Sequence, residues 1–397
     1  MIYDVAIVGG GIVGLATAYR ILEKKPETKL IILEKESSEA KHQTGHNSGV
    51  IHSGLYYKPG SLKAKNCIDG YHQLIDFAQQ NDIPYDLCGK IVVATSNQEI
   101  PELNKLYNRG IENGLDGMKL LKQDELREYE PHVNGVQGIF VPQTGIIDYK
   151  VVAAKYRWKI EKMSGEFLFN YRADGLSKNH NNWIVRSKNH EIETKTLINC
   201  AGLYSDKVAE LSQKTDTKII PFRGEYYMLK DSAKHLVKNL IYPVPDPNFP
   251  FLGVHFTRMM NGHIEAGPNA VLAFKREGYT KKDINLGELF ESLMWPGFQK
   301  VAAKYWKTGM GEMWRSFSKK AFTKALQKLI PEITEHDLVA AEAGVRAQAC
   351  DRKGGLLDDF KIIEDKNVIN VLNAPSPAAT SSLSIGKTIA EIWIEKS

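Results

Sequence analysis

The chain has 397 residues, 43% hydrophobic and 25% charged, an ordinary globular composition with length enough for two or three domains that need no disulfide or metal staple. No run of about 20 apolar residues occurs, so no membrane-spanning helix is expected. The four cysteines (Cys67, Cys88, Cys200, Cys350) form no CxxC pair and no metal-ligand spacing with histidine, which argues against a zinc site or a disulfide framework and for a reducing, cytoplasmic setting. The net charge of +5 is uneven: residues 296–330 hold eight basic side chains against Glu312 alone, +7 in all, so the other residues sum to −2.

The opening stretch MIYDVAIVGGGIVGLA carries Asp4 and no basic leader, and reads as a buried strand over 3–8 and a glycine turn rather than a signal peptide. A helix over 12–24 packs through Gly14, Ala16 and Ala18, and KLIILE at 29–34 is a second buried strand. The chain therefore opens with a βαβ unit of a mostly parallel sheet. Helical spacing follows at 61–81, a strand at 90–95, and helices at 99–115, 122–129 and, after the turn Gln143-Thr144-Gly145, 150–163. Residues 166–200 read as strands separated by polar turns at 179–182 and 187–189, the last strand running into Ala201-Gly202. Strand character returns at 219–229 and 251–267. Helices with Gly and Pro breaks fill 286–330, and the strand 368–372, a Pro/Ser/Ala loop and a helix over about 378–394 end the chain.

The glycine turn is Gly9-x-Gly11-x-x-Gly14, between strand and helix. Gly9 permits the tight turn, Gly11 permits close approach to a pyrophosphate, and Gly14 lets helix and strand pack. The pyrophosphate would meet the positive helix end at Ile12 and Val13. Glu34, with Lys35 beside it, ends the next strand 20 residues beyond Gly14, where a carboxylate can accept hydrogen bonds from an adenosine ribose. Three further stretches favour a flavin dinucleotide. The loop TGHNSGVIHSGLYY supplies donors and close backbone approach through Thr44, Gly45, Asn47, Ser48, Gly49 and His52. TLINCAGLYSD turns at Ala201 and Gly202. NAPSPAATSSLSIG presents Ser376, Pro377, Ala378, Ala379 and Thr380 at a helix start whose N–H groups favour the anionic edge of a reduced flavin. Ala173 is expected to join the cofactor contacts. The expected cofactor is FAD, with no metal.

On the stretches VGGGIVGLATA, HQTGHNSGVIHSGLYY, TLINCAGLYSD, PFRGEYY, FLGVHFTR, EAGVRAQ and NAPSPAATSSLSIG, which span nearly the whole chain in order, the sequence resembles the L-2-hydroxyglutarate oxidases and dehydrogenases of the D-amino-acid-oxidase-like flavoproteins. The resemblance implies an α/β (α+β mixed) fold. In it a Rossmann-like FAD domain (1–85, 145–215 and 335–397) is interleaved with a substrate domain (86–144 and 216–334) on a largely antiparallel sheet. It also implies oxidation of an L-2-hydroxy acid, most simply L-2-hydroxyglutarate to 2-oxoglutarate, with electrons passed to oxygen or a membrane quinone.

Such a reaction needs a proton acceptor for the alcohol, and a neutral histidine suits it. His255, in GVHFTR, is the first candidate and His52 its rival. Arginine holds a carboxylate bidentately. Arg346 leads as a ligand of a small dicarboxylate and as part of the catalytic group, followed by Arg223 and Arg258, with Tyr226 and Tyr227 as hydroxyl donors. Residues 294–330 mix the eight basic residues with Met294, Trp295, Phe298, Tyr305, Trp306, Trp314, Phe317 and Phe322, which suits an anionic bilayer surface and peripheral attachment at the inner face of the cell membrane. A solvated basic face with the aromatics in the core, or a field steering an anionic substrate, would leave the same pattern. Two other activities stay open: an amino-acid or amine oxidase or glycerol-3-phosphate dehydrogenase of the same superfamily, and a flavin-dependent nucleic-acid-modifying protein. No nucleic-acid motif is present, so no nucleic-acid partner is expected. A second dinucleotide fingerprint is also missing.

Overall fold

The computed structural model describes residues 1–188, 190–246 and 252–396. The βαβ expectation is met by β1 (Ile2–Val8), α1 (Ile12–Lys24) and β2 (Leu30–Leu33). Five strands run parallel, in the spatial order Glu166–Leu168, β2, β1, His190–Asn199, Val368–Asn373. All four residues of β2 are buried, as a parallel strand covered on both faces requires. Gly175–Asn179, Asn182–Ser187 and Lys361–Asp365 extend the sheet as antiparallel strands. Leu15, Ala16, Ala18, Ile21 and Leu22 of α1 enter a core with Phe77, Tyr156, Ile198 and Trp393. The C-terminal helix Ser382–Lys396 crosses α1 at Gly386, where a Cβ would stand 2.6 Å from the Ala16 carbonyl carbon.

A second sheet has eight strands, in the order Leu338–Ala340, Tyr227–Leu229, Ile264–Gly267, His255–Arg258, Leu240–Pro243, Lys90–Ala94, Gln137–Val141, Lys119–Lys122. Every pairing is antiparallel except that of Leu240–Pro243 with Lys90–Ala94. Strand alternation divides its residues between two faces. Ile91, Val93, Ile241 and Phe256 pack under Phe322, Leu326 and Ile330. Val92, Leu240 and Tyr242 pack with Val50 and Leu55 of the loop that follows β2, and Lys90, His255 and Thr257 alternate onto that same face. Two three-stranded sheets complete the fold. In one, Thr217–Gly224 lies between Val271–Leu272 and Gly344–Asp351; in the other, Gly145–Ile147 lies between Val50–Ile51 and Tyr85–Asp86.

Several elements differ from their sequence expectation. The strand at 219–229 breaks at Glu225-Tyr226, so its halves join different sheets. The stretch 251–267 becomes two strands, with Phe251 outside the described residues, as is Asn189 of the turn at 187–189. Residues 286–330 form the helices Leu286–Leu293, Pro296–Phe317 and Lys319–Leu326, the second interrupted at Tyr305. The last helix starts at Ser382 rather than near 378, because the prolines hold residues 375–381 in turns closed by Ala378 N–H to Pro375 O and Ser381 N–H to Pro377 O. No helix among the described residues is long and apolar enough to cross a membrane.

Candidate active site and cofactor cleft

The entry turn of α1 is held open by two glycines. Gly9 has φ +111°, and a Cβ there would meet the Cys200 carbonyl oxygen at 2.4 Å; one on Gly14 would meet the Gly9 oxygen at 2.1 Å. Gly11 faces space, with only Thr44 Oγ1 near an added Cβ. Gly9, Gly11, Glu34, Lys35, Thr44, Ala173, Ala201 and Gly202 line one cleft, together with Gln43, Arg172 and Tyr204. The cleft is partly open to solvent. Ile12 and Val13 form the first turn of α1, and Thr44 Oγ1 accepts the Ile12 N–H at 3.0 Å. Glu34 is buried, its carboxylate accepting from Gly10 N–H at 2.6 Å and Glu36 N–H at 2.9 Å. Those bonds aim it, and its remaining lone pairs suit a ribose hydroxyl. Glu36, His42 and Glu277 bring three metal-type ligand atoms within 4.8 Å, but the Lys35 ammonium already pairs with both carboxylates there.

The loop after β2 is shaped by its own amide. Asn47 Nδ2 donates to the carbonyls of Gln43 and Thr44, and Asn47 Oδ1 accepts from Gly49 N–H, beside Ser48. Gly45 and Gly49 are required by close backbone: a Cβ would meet Ala40 O at 2.3 Å and Ile147 O at 2.8 Å respectively. The loop then meets the C-terminal segment. Thr380 Oγ1 accepts from His52 N–H at 3.1 Å and shares a 2.8 Å bond with Tyr149 Oη, and Ser376 Oγ lies 3.5 Å from His52 Nε2. Pro377, Ala378 and Ala379 form the turn between them.

Beyond His52 the second sheet adds His255 and Arg346 follows on strand Gly344–Asp351. His255 is 6% exposed, and its ring lies 4.0 Å from that of Tyr242. Its Nδ1 sits 2.9 Å from the Gly253 carbonyl, which can only accept, so Nδ1 carries the hydrogen and, in the neutral ring, Nε2 is left as acceptor. Burial pushes both histidines down to about 3, and the positive charges of Arg346 and Lys90 add to the effect. Tyr226 hydrogen-bonds Arg346, and burial raises its phenol to about 12, so it stays a donor. His52, His255, Arg346 and Tyr226 thus come together.

The other substrate candidates lie elsewhere. Tyr227 points to the opposite face of the sheet, against Phe322 at 4.8 Å. Arg223 is spent on Glu225, through Nε and Nη2, and on the Thr280 carbonyl. Arg258 alternates to the far face and pairs with Asp86. These three are structural in their contacts: alternation along His255–Arg258 sends Arg258 to the face opposite His255, Tyr227 packs on that same far face, and Arg223, on a strand of another sheet, is held by Glu225 and Thr280.

The family of FAD dependent oxidoreductases matches residues 4–392. The chain belongs to this family. Within it, the chain is 62% identical to an L-2-hydroxyglutarate dehydrogenase of Indibacter alkaliphilus, with all of both chains covered. It is 45% identical to the protein of that name in Escherichia coli, over 98% of this chain and 92% of that one, and 45% identical to the human mitochondrial protein of that name, over 98% and 88%. Among solved structures, FAD-bound L-alpha-glycerophosphate oxidase from Mycoplasma pneumoniae superposes with TM-score 0.82 at 23% identity, covering 100% of this chain and 96% of that one. Glycine oxidase from Geobacillus kaustophilus gives 0.75 at 14%, covering 100% and 95%. At those identities the likeness is one of fold. The cleft fits the cofactor of the family: a glycine turn with room for a pyrophosphate, an aimed carboxylate, and a path along loop 44–52 to residues 376–380.

The sequence reading missed Lys90, Tyr56 and Tyr242. Lys90 is 2% exposed, with its Nζ 4.4 Å from the Tyr56 ring centroid and 5.0 Å from that of Tyr242. In sequence it is one lysine at the edge of an apolar strand, and nothing local separates it from a solvated one.

Proposed function

We propose that this FAD-dependent oxidoreductase converts L-2-hydroxyglutarate to 2-oxoglutarate. The observation that carries this reading beyond the relatives' names is a cluster of buried groups: His52, His255, Arg346 and Lys90 lie close enough to act on one another electrostatically, and Lys90 sits between the Tyr56 and Tyr242 rings. When bound, FAD supplies the hydride acceptor. Arg346, supported by the Tyr226 hydroxyl, holds the carboxylate beside the alcohol. His255 Nε2 takes the O–H proton as the C–H bond breaks and its electron pair leaves with the hydrogen, so that the C–O bond becomes a carbonyl. His52 and the turn at Ser376 border the same reacting region. The test is product identification: stoichiometric 2-oxoglutarate from the L-enantiomer supports the reading, and turnover confined to amines or glycerol 3-phosphate contradicts it.

The membership of the two large sheets supports the interleaved division into FAD segments 1–85, 145–215 and 335–397 and substrate segments 86–144 and 216–334, except that Leu338–Ala340 pairs in the sheet of the substrate segments. The helices of 286–330 favour a membrane surface as the place of electron delivery. Trp306, Met310, Trp314 and Phe317 are 60–69% exposed along one stripe of Pro296–Phe317, and Leu286 and Phe290 of the preceding helix and Met294 at its C-terminal cap are exposed too. Core packing accounts for Phe298 and Phe322, which are buried, and for Trp295 and Tyr305, which are partly buried against the core. Exposed Lys300, Lys304, Lys307, Lys320, Lys324 and Lys328 surround the stripe, a pattern suited to an anionic bilayer and a quinone within it.

A further inference from the structure

Lys90 is a buried cation without an anion. Its strand, Lys90–Ala94, is covered on both sides, by Leu240–Pro243 and Gln137–Val141, and its side chain lies on the face that also carries Tyr242, His255 and Thr257. No aspartate or glutamate among the described residues forms an ion pair with it. Its immediate surroundings are two aromatic rings, Tyr56 and Tyr242. Rings stabilise an ammonium, but by less than desolvating it costs. The imbalance appears as a lysine held down to about 7 by burial. The Tyr56 hydroxyl beside it is a second loose end: it is buried with no hydrogen-bond partner. An orphaned buried hydroxyl and an uncompensated buried ammonium each cost stability. Both are relieved if one anion with several acceptor atoms enters between them.

The substrate reading supplies such an anion. One carboxylate of the diacid, the one beside the alcohol, is assigned to Arg346, which leaves a second to be neutralised. Lys90 and Arg346 both act on His52 and His255 electrostatically, so the two cations border the chamber in which the alcohol must meet its base. We propose that Lys90, together with the Tyr56 hydroxyl, receives the distal carboxylate of the substrate and thereby selects a 2-hydroxy diacid over a 2-hydroxy monoacid. This rests on the proposed reaction and adds to it the residues that set chain-end specificity. The rings of Tyr56 and Tyr242 fix the ammonium in place, so the selecting charge is preorganised rather than recruited from a mobile surface lysine.

The test compares two substrates on three proteins. Wild type, Lys90→Met and Tyr56→Phe are each loaded with FAD and assayed with L-2-hydroxyglutarate and with L-2-hydroxypentanoate, its five-carbon monoacid counterpart. Lys90→Met is expected to lower the ratio of kcat/KM for the diacid to that for the monoacid by about 100-fold, because a charged hydrogen bond is lost only with the diacid while any effect of the charge on the histidines is common to both. Tyr56→Phe, which removes a hydroxyl that pairs with nothing in the free protein, should lower the diacid value by about 10-fold and leave Tm unchanged or raised. Equilibrium binding of 2-oxoglutarate against 2-oxopentanoate, read from the flavin absorbance, should show the same split without turnover. Equal losses with both substrates, or an undiminished preference for the diacid in Lys90→Met with FAD bound, would overturn the proposal. If wild type itself oxidises neither acid, the proposed reaction fails, and with it the role of Lys90.

Discussion

His255 donates its Nδ1–H to the Gly253 carbonyl, so its single free lone pair is on Nε2, and burial, with two cations nearby adding to it, holds the ring unprotonated. A base kept neutral in this way is ready at every physiological pH, though weak until an anionic substrate offsets those cations. His255→Asn should therefore lower turnover by about 100-fold or more while FAD stays bound; near-wild-type turnover would remove it from the reaction. The acid limb of kcat/KM should lie well below pH 6.5, because protonation of a histidine held at about 3 is what ends activity on that side. Arg346→Lys should raise KM steeply, since a point charge replaces a planar fork. An unchanged KM would place the carboxylate elsewhere.

At the scale of elements, the turn between β1 and α1 has the tight form and close packing that Gly9 and Gly14 announced, and the reason is backbone contact: Gly9 against Cys200 and Gly14 against Gly9. Gly14→Ala should force those contacts apart at a cost of about 1–3 kcal/mol. The variant should be purified with less FAD and a lower Tm, and full flavin occupancy would contradict the packing argument. The parallel strands were legible for the same local reason, as short apolar runs flanked by turn residues. The antiparallel sheet was legible only through family likeness, because its strands come from residues 90–141, 227–267 and 338–340 and pair over long range. Arg258 and Tyr227 show the limit at finer grain: a motif names the strand, while alternation decides which of its residues reach the site. Lys90 shows the converse, a functional candidate with no local signal until three strands bring Tyr242, His255 and the lysine onto one face. The exposed stripe of Pro296–Phe317 makes an element-scale prediction too. The protein should co-sediment with anionic vesicles at low salt, and Trp306→Ser with Trp314→Ser should weaken that binding without changing kcat. No sedimentation of wild type would end the membrane reading.

For the whole molecule, the buried ionisable groups set how stability depends on pH. His52 and His255 have folded values near 3, below the usual 6.5, so each takes up a proton on unfolding, and their stabilisation is full above 6.5 and lost as pH falls toward 3. Glu130 and Glu265 are raised by burial to about 7, so their contribution is full below about 4.5 and lost as pH rises through 7. The two pairs oppose each other between about 4.5 and 6.5, and below that window only the histidines remain. Unfolding free energy of the FAD-free protein should thus change little from pH 6.5 to 5 and fall more steeply below 4.5. Denaturant melts across this range check it, and a steep loss already at pH 6 would show that the histidines are not buried as neutral rings. The central claim joins cofactor, site and substrate, and one measurement reaches all three: anaerobic titration of the purified flavoprotein with each enantiomer of 2-hydroxyglutarate while the flavin absorbance is followed. The account predicts bleaching by the L-enantiomer alone. A protein that takes up no FAD, or a bound flavin that stays oxidised in the presence of L-2-hydroxyglutarate, would contradict it.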